Sequence, residues 1–473
     1  MMSKLNRFIS PKTIAVIGAS ENLQKSAGRV LVNLMKTNFK GEIFLVNPKY
    51  ENILGMRCYH SILQIEEQVD LACIIVPAKN VPIVMESCIE KGVKAVMILS
   101  SGFSENGIEG RKLEESIHRM IKGKDIAVYG PNAPGLFSYC KQWGISFSPR
   151  FEPKQFRRGN VGLISHGGSL GRAIIDSNEK GIGFSYWFSP GNEIDVNFND
   201  CLEFLIDDPH TQTILLVIES FFEEKRFFDL IHKAYEKNKP VILLSIGTTN
   251  ESISAIRFHL GKEMKTPFPW EVIQHPGLIK VDSIDEIVSL AWLFEYYQQM
   301  RGNRTVVFSW AGGASIYLAD LCKRNHIHLP DLSNKLKRKF AELIKIKDYY
   351  INPLDLTTTV YDDLTLLSDC LNYISESEEF DNIIVLFPFQ VDYQNEFLAK
   401  EILKIIVEKE KIIIPIFLSQ GYQNELSLDL IKEKKLPYFV NEQTAIKVLS
   451  KFLEYKGFSD EWGKKDGKAH SNK

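Results

Sequence analysis

Apolar residues in this chain gather in short, almost uninterrupted runs, separated by stretches in which they recur at helical intervals. Lys12-Thr-Ile-Ala-Val-Ile-Gly-Ala-Ser20 is a β-branched run stopped by a small-residue turn, and Ala27-Gly-Arg-Val-Leu-Val-Asn-Leu-Met35 follows at helical spacing. Further runs are Glu42-Ile-Phe-Leu-Val-Asn-Pro-Lys49, Asp70-Leu-Ala-Cys-Ile-Ile-Val-Pro77, Ala95-Val-Met-Ile-Leu-Ser100 and Ile126-Ala-Val-Tyr-Gly130. Strands that alternate with helices predict a parallel sheet with crossovers and a ligand site at the strand carboxyl ends.

The same strand, glycine-rich turn and helix recur twice more. Asn160-Val-Gly-Leu-Ile-Ser-His-Gly-Gly-Ser-Leu-Gly-Arg-Ala173 opens a second module, joined by the strands Thr213–Glu219 and Pro240–Leu244. Thr305-Val-Val-Phe-Ser-Trp-Ala-Gly-Gly-Ala-Ser315 opens a third, with later strands at Ile383–Pro388 and Ile412–Leu418. The expected fold is α/β, with three doubly wound modules at residues 1–137, 150–298 and 303–456. The lysine-rich stretch 459–473 lacks periodicity and is expected to be disordered.

The length of 473 residues suits about three domains, and 44% hydrophobic with 25% charged residues matches a globular protein. A net charge of −2 gives no broadly basic surface for nucleic acid. The seven cysteines include no Cys-x-x-Cys pair, so free thiols in a reducing cytosol are expected, with no metal site. Neither a signal-peptide run nor an uncharged apolar stretch of about 20 residues is present, which suggests a cytoplasmic protein.

The strand ends carry the candidate chemistry. In the first module they are Gly18, Ala19 and Ser20; Asn47, Pro48 and Lys49; Val76 and Pro77; Ser100 and Ser101; and Asn132. The turn at Gly18 is not a full G-x-G-x-x-G, and Lys49 stands where a ribose-binding acid would end the second strand. A lysine there suits a phosphorylated ribose, as in coenzyme A or NADP, and it also suits an ordinary turn. In the second module Ser165, Gly167, Gly168 and Ser169 sit at a helix start, where backbone N–H groups and the helix dipole form an anion cradle. Glu219 ends a strand. His259 lies in the Ser/Thr/Gly-rich segment after Leu244, expected to be a loop, and an imidazole can act as a nucleophile near neutral pH.

In order along the chain, these residues resemble the NDP-forming acyl-CoA synthetases, the superfamily of ADP-forming acetate–CoA ligase and succinyl-CoA synthetase. Ile14–Ser20, Val46–Lys49, Ser101-Gly-Phe-Ser-Glu105 and Gly130-Pro-Asn132 resemble its CoA-binding module. Ser165-His-Gly-Gly-Ser-Leu-Gly171 resembles its Ser-x-Ser-Gly-x-Leu-Gly phosphate loop, and Pro190-Gly-Asn-Glu-Ile-Asp195 its Gly-Asn-x-x-Asp segment. Ala311-Gly-Gly313 and Asn352-Pro-Leu-Asp355 are similar to marks of the ligase-CoA module.

The resemblance implies a Rossmann-like CoA-binding module followed by two flavodoxin-like ones. It further implies that His259 is phosphorylated during turnover, that Glu219 orients it, and that the strand-end residues above bind CoA. It departs in Ser245 for a lysine, Leu260 for a threonine and Gly167 for the loop's second serine, which suggests an altered acid substrate. The three modules leave no segment for an ATP-grasp module of about two hundred residues. The resemblance therefore implies an α-type subunit whose ATP-grasp β partner, in an α2β2 assembly, supplies ATP/ADP and Mg²⁺. Its rivals are a non-catalytic CoA or acyl-CoA sensor and an NADP oxidoreductase resting only on the first sheet and Lys49.

Overall fold

A computed structural model describes residues 4–469 apart from 149–156, 220–222, 261–269, 271–272, 298–300, 346–349, 358–359, 361–362, 389–391, 409–410 and 419–424. Among the described residues the strands form three sheets. The first has the order β3-β4-β2-β1-β5-β6-β7, from β1 (Thr13–Ile17), β2 (Glu42–Val46), β3 (Asn52–Ile53), β4 (Met56–Tyr59), β5 (Leu71–Ile74), β6 (Ala95–Ile98) and β7 (Ala127–Tyr129). All its pairings are parallel except β3 with β4.

The second sheet runs β14-β13-β12-β10-β11-β8-β9. Its strands are β8 (Gly135–Ser138), β9 (Trp143–Ser146), β10 (Arg158–Ser165), β11 (Phe184–Ser189), β12 (Thr213–Ile218), β13 (Val241–Ser245) and β14 (Leu278–Val281). The β8–β9 hairpin pairs antiparallel on an otherwise parallel sheet. It also reaches back to the first module, where the buried Asn33 amide donates to Ser146 O and the Trp143 indole donates to Ile9 O.

The strands are continuous apolar runs because helices cover both faces: every residue of β11, β12 and β5 is buried. Ile14 and Val16 of β1, Ile145 of β9, Ile164 of β10 and Leu243 of β13 belong to one buried cluster. A shared core makes the first two modules a single compact unit, residues 1–284.

Residues 285–473 form the second unit around a parallel sheet in the order β16-β15-β17-β18, from β15 (Thr305–Ser309), β16 (Leu354–Asp355), β17 (Asn382–Phe387) and β18 (Ile412–Phe417). Among the described residues β18 is an edge strand whose outer side carries a single bridge, Ile416 to Phe439, in which Pro415 contributes its carbonyl by accepting from Phe439 N at 2.9 Å. The helix Ile284–Tyr296, read from sequence as the end of the second module, packs in this unit. Its Glu286 accepts from Lys447 Nζ at 2.8 Å and its Trp292 indole donates to Lys435 O. The last helix runs Glu442–Ala469, carrying helical backbone into the stretch from Ser459 whose composition suggested disorder.

At the entry to this sheet Arg304 grips Asp381, which is 4% exposed, through Nε and Nη2 at 2.9 and 2.7 Å. Burial alone would raise the Asp381 carboxyl, but the hydrogen bonds and charge of Arg304 outweigh it and hold it below its ordinary value. The unfolded chain then binds this proton more readily. The pair's stabilisation is thus present above the unfolded carboxyl's pKa of about 4 and is lost as pH falls through the lower folded value. Asp381→Asn should cost about 1–3 kcal/mol near pH 7 and flatten the acid limb of the stability profile, measured by urea unfolding across that limb.

Candidate active site

The candidates of the first module converge on one edge of their sheet, because all parallel strands end there. Gly18 has φ +92, and a Cβ on it would stand 2.5 Å from Ile75 O, so only glycine lets the β1 turn cross the β5 turn. Asn47 donates to Ala19 O at 2.8 Å, and the buried Ser100 hydroxyl donates to Val76 O at 2.6 Å. These two side chains and the buried Ala19 therefore build the loops. Ser20, Pro48, Lys49, Pro77 and Ser101 retain accessible surface along the edge, with Asn132 (φ +55) at its far end.

The second-module cradle forms where β10 turns into the helix Gly168–Ile175. Gly167 has φ +80, and a Cβ there would lie 3.2 Å from Glu219 Oε1. The positive φ, a backbone conformation that side chains rarely adopt, favours glycine at this departure from the family pattern. Ser165 is fully buried, its hydroxyl accepting from the Trp187 indole at 2.9 Å and donating to Gly167 O at 3.1 Å. It shapes the loop from beneath. The groups that can face an anion are the backbone N–H groups of the first turn and the exposed Ser169.

His166, within the cradle, received no role from sequence. It is 7% exposed; its Nδ1 accepts from the Glu219 backbone N–H at 3.0 Å, and its Nε2 lies 2.7 Å from Glu193 Oε1. Because Nδ1 accepts, the ring proton is on Nε2 and is donated to Glu193. Glu193 belongs to Gly191–Val196, which runs along the edge of the first sheet: Asn192 N, Ile194 N and Val196 N donate to Pro131 O, Gly130 O and Val128 O, and Asp195 accepts from Val128 N. The buried Asn192 amide faces Glu105 and Glu114 at 2.8 and 2.5 Å. Sequence reading saw the Gly-Asn-x-x-Asp segment but not these partners, which stand 27 to 87 positions away.

The segment bearing His259 is a helix, Asn250–Leu260, where a loop was expected. Thr249 and Ser252 exchange backbone-to-hydroxyl hydrogen bonds at its start, and Ile253 and Ile256 bury its inner face. Gly247 (φ +79) fits between Ile256 and Glu219 O, which brings the root of this helix beside Glu219. The helix also approaches the turn Ser104–Asn106. The side chain of His259 lies outside the described part of the structure. In the second unit, Asp355 Oδ2 lies 3.2 Å from a Cβ built on Gly312, so Ala311–Gly313 and Asn352–Asp355 meet at the start of the helix Gly312–Arg324.

Residues 12–138 match the CoA binding domain family, and residues 158–294 the succinyl-CoA ligase like flavodoxin domain. The α subunit of acetate–CoA ligase [ADP-forming] I from Pyrococcus furiosus is 30% identical over 461 residues, covering 95% of this chain and 97% of that protein. The chain belongs to the ADP-forming acyl-CoA ligase family, as an α-type member. Acetate–CoA ligase [ADP-forming] I of Archaeoglobus fulgidus is also 30% identical, over 96% of this chain; the chain spans 64% of that ligase's length. The fold is that of the dinucleotide forming acetyl-coenzyme A synthetase 1 of Ca. Korarchaeum cryptofilum in complex with phosphate and ADP, at a TM-score of 0.85 and 24% identity, covering 97% of this chain and 98% of that one.

In this family member Gly191 (φ +68) sets the Gly191–Val196 segment on the sheet edge, and a Cβ there would stand 2.2 Å from Pro131 O. Gly191→Ala should destabilise the first unit by about 2–4 kcal/mol through strain and overlap, read as a lowered midpoint in denaturant unfolding.

Proposed function

We propose that this chain is the α subunit of an ADP-forming acid–CoA ligase, converting a small carboxylate, CoA and ATP to acyl-CoA, ADP and phosphate. The observation that carries this is the convergence of three parts in one unit: the Ser165–Ser169 cradle, the Glu219 carboxylate beside Gly167, and the helix Asn250–Leu260 that carries His259, whose root lies by Glu219 O through Gly247. In this reading Glu219 orients His259, and the first-sheet edge binds CoA through Gly18–Ser20, Asn47–Lys49, Val76, Pro77, Ser100, Ser101 and Asn132. Residues 1–137, 150–298 and 303–456 are the CoA, phosphoryl-transfer and ligase-CoA modules. A separate ATP-grasp β subunit, in an α2β2 assembly, supplies the nucleotide site and Mg²⁺. The seven cysteines, all free, suit the reducing cytoplasm.

A nitrogen of His259 attacks the γ-phosphorus of ATP; the N–P bond forms and ADP leaves. At the cradle the substrate carboxylate attacks that phosphorus, the N–P bond breaks, and an acyl phosphate results. The CoA thiol then loses its proton as sulfur attacks the acyl carbon, and phosphate departs. Dividing the condensation into covalent steps lowers each barrier, and the first-turn N–H groups stabilise the transferring phosphoryl group. Mg²⁺ held with the nucleotide would offset its charge. His259 takes the phosphoryl group from the nucleotide and gives it up at the cradle, so it serves these two steps and is free of the thiol step.

The test runs the chemistry backwards on the chain alone. Incubation with radiolabelled phosphate and acetyl-CoA, or a panel of other acyl-CoA esters, should leave acid-labile, base-stable label on the wild-type chain. His259→Ala should lower that label at least about 100-fold. Label that survives in His259→Ala refutes the assignment, and CoA binding with no label from any ester favours a CoA sensor.

A further inference from the structure

The turn Ser104–Asn106 is where three parts of the proposed cycle touch. Its Glu105 accepts from Gly102 N at 2.6 Å and Phe103 N at 3.1 Å, so one carboxylate oxygen holds the loop that follows the CoA-edge residues Ser100 and Ser101. The other oxygen accepts from Asn192 Nδ2 at 2.8 Å. The same amide lies 3.1 Å from Ser104 Oγ and 2.5 Å from Glu114 Oε1, which also accepts from Ser104 N. Asn192 is 4% exposed and Ser104 is 2% exposed. One residue on, Glu193 accepts the His166 Nε2–H hydrogen bond with Oε1 and accepts from Phe198 N with Oε2. His166 in turn holds the Glu219 backbone, whose carboxylate faces Gly167. The helix leading to His259 approaches this turn.

These bonds make a continuous path from the CoA edge to the phosphate loop: Gly102, Glu105, Asn192, Glu193, His166, Glu219. Its middle is buried, where a hydrogen bond is strong and an unmet polar group is costly, so its members hold or shift their positions together. CoA that orders the Ser100–Gly102 loop fixes Glu105, and through Asn192 it fixes the segment on which Glu193 and His166 depend.

We propose that Asn192 and Glu193 are positioning residues that couple occupancy of the CoA edge to the geometry of the phosphate loop. Neither touches the reacting atoms; they act through Glu105 on one side and through His166 and Glu219 on the other. This rests on the functional reading above, and it assigns that site a regulation: an anion at the cradle and CoA at the edge each change the other's affinity by the same factor.

Calorimetric titration of the full chain with CoA, with and without saturating inorganic phosphate, tests it. The wild-type chain should show at least about a fivefold change in CoA affinity on adding phosphate, and the same factor for phosphate on adding CoA. In Asn192→Ala the factor should fall to about one while CoA still binds without phosphate. Glu105→Gln presents an amide to the Asn192 amide, breaking the same link without opening a cavity, and should also abolish coupling if Asn192→Ala fails to fold. A wild-type factor of one, or undiminished coupling in the variants, overturns the proposal. A wild-type chain that binds no CoA at all removes the functional reading itself, and is thereby distinguished from a failure of coupling alone.

Discussion

Where two parallel sheets share a core, the polar groups trapped between them have to be satisfied by one another. Here that requirement falls on Gly191–Val196, which leaves the second sheet after β11 and lies along the last strand of the first. Its backbone completes β7, Asp195 accepts from Val128 N, and Asn192 meets two carboxylates. Once these bonds are made, Glu193 is committed to His166 and the Ser165–Ser169 loop has a fixed underside. Buried polar groups left unmet would cost more than a typical surface contact could return.

Much of the fold was legible because both faces of each sheet are covered: continuous apolar runs such as Thr213–Ile218 stand out without alternation. The strand-end candidates were legible for the same reason, since parallel strands bring their carboxyl ends to one edge. What escaped was tertiary. Nothing near Gly135 shows that β8 and β9 join the second sheet antiparallel. The Ser/Thr/Gly content after Leu244 suggested a loop, yet Thr249 and Ser252 cap a helix whose Ile253 and Ile256 are buried. Capping residues and loop residues are the same types, and only the packing separates them.

The site shows the same division. Gly167 was marked as a departure from the family pattern, and its φ of +80 supplies a backbone reason that no linear spacing shows. His166 and Glu193, by contrast, lie inside segments already singled out and acquire meaning only from facing each other across 27 residues. Burial against Phe198 makes His166 part of the wall.

The hydroxyl of Ser165 has a consequence for selectivity. It is spent between the Trp187 indole and Gly167 O, so the donors this loop could offer an anion are the first-turn main-chain N–H groups and the exposed Ser169 hydroxyl. Such donors recognise charge and the tetrahedral shape of a phosphoryl group and are indifferent to whatever carbon skeleton is attached to it. In a ligase built on such a loop, discrimination among acids would fall to surfaces that the phosphoryl group never touches.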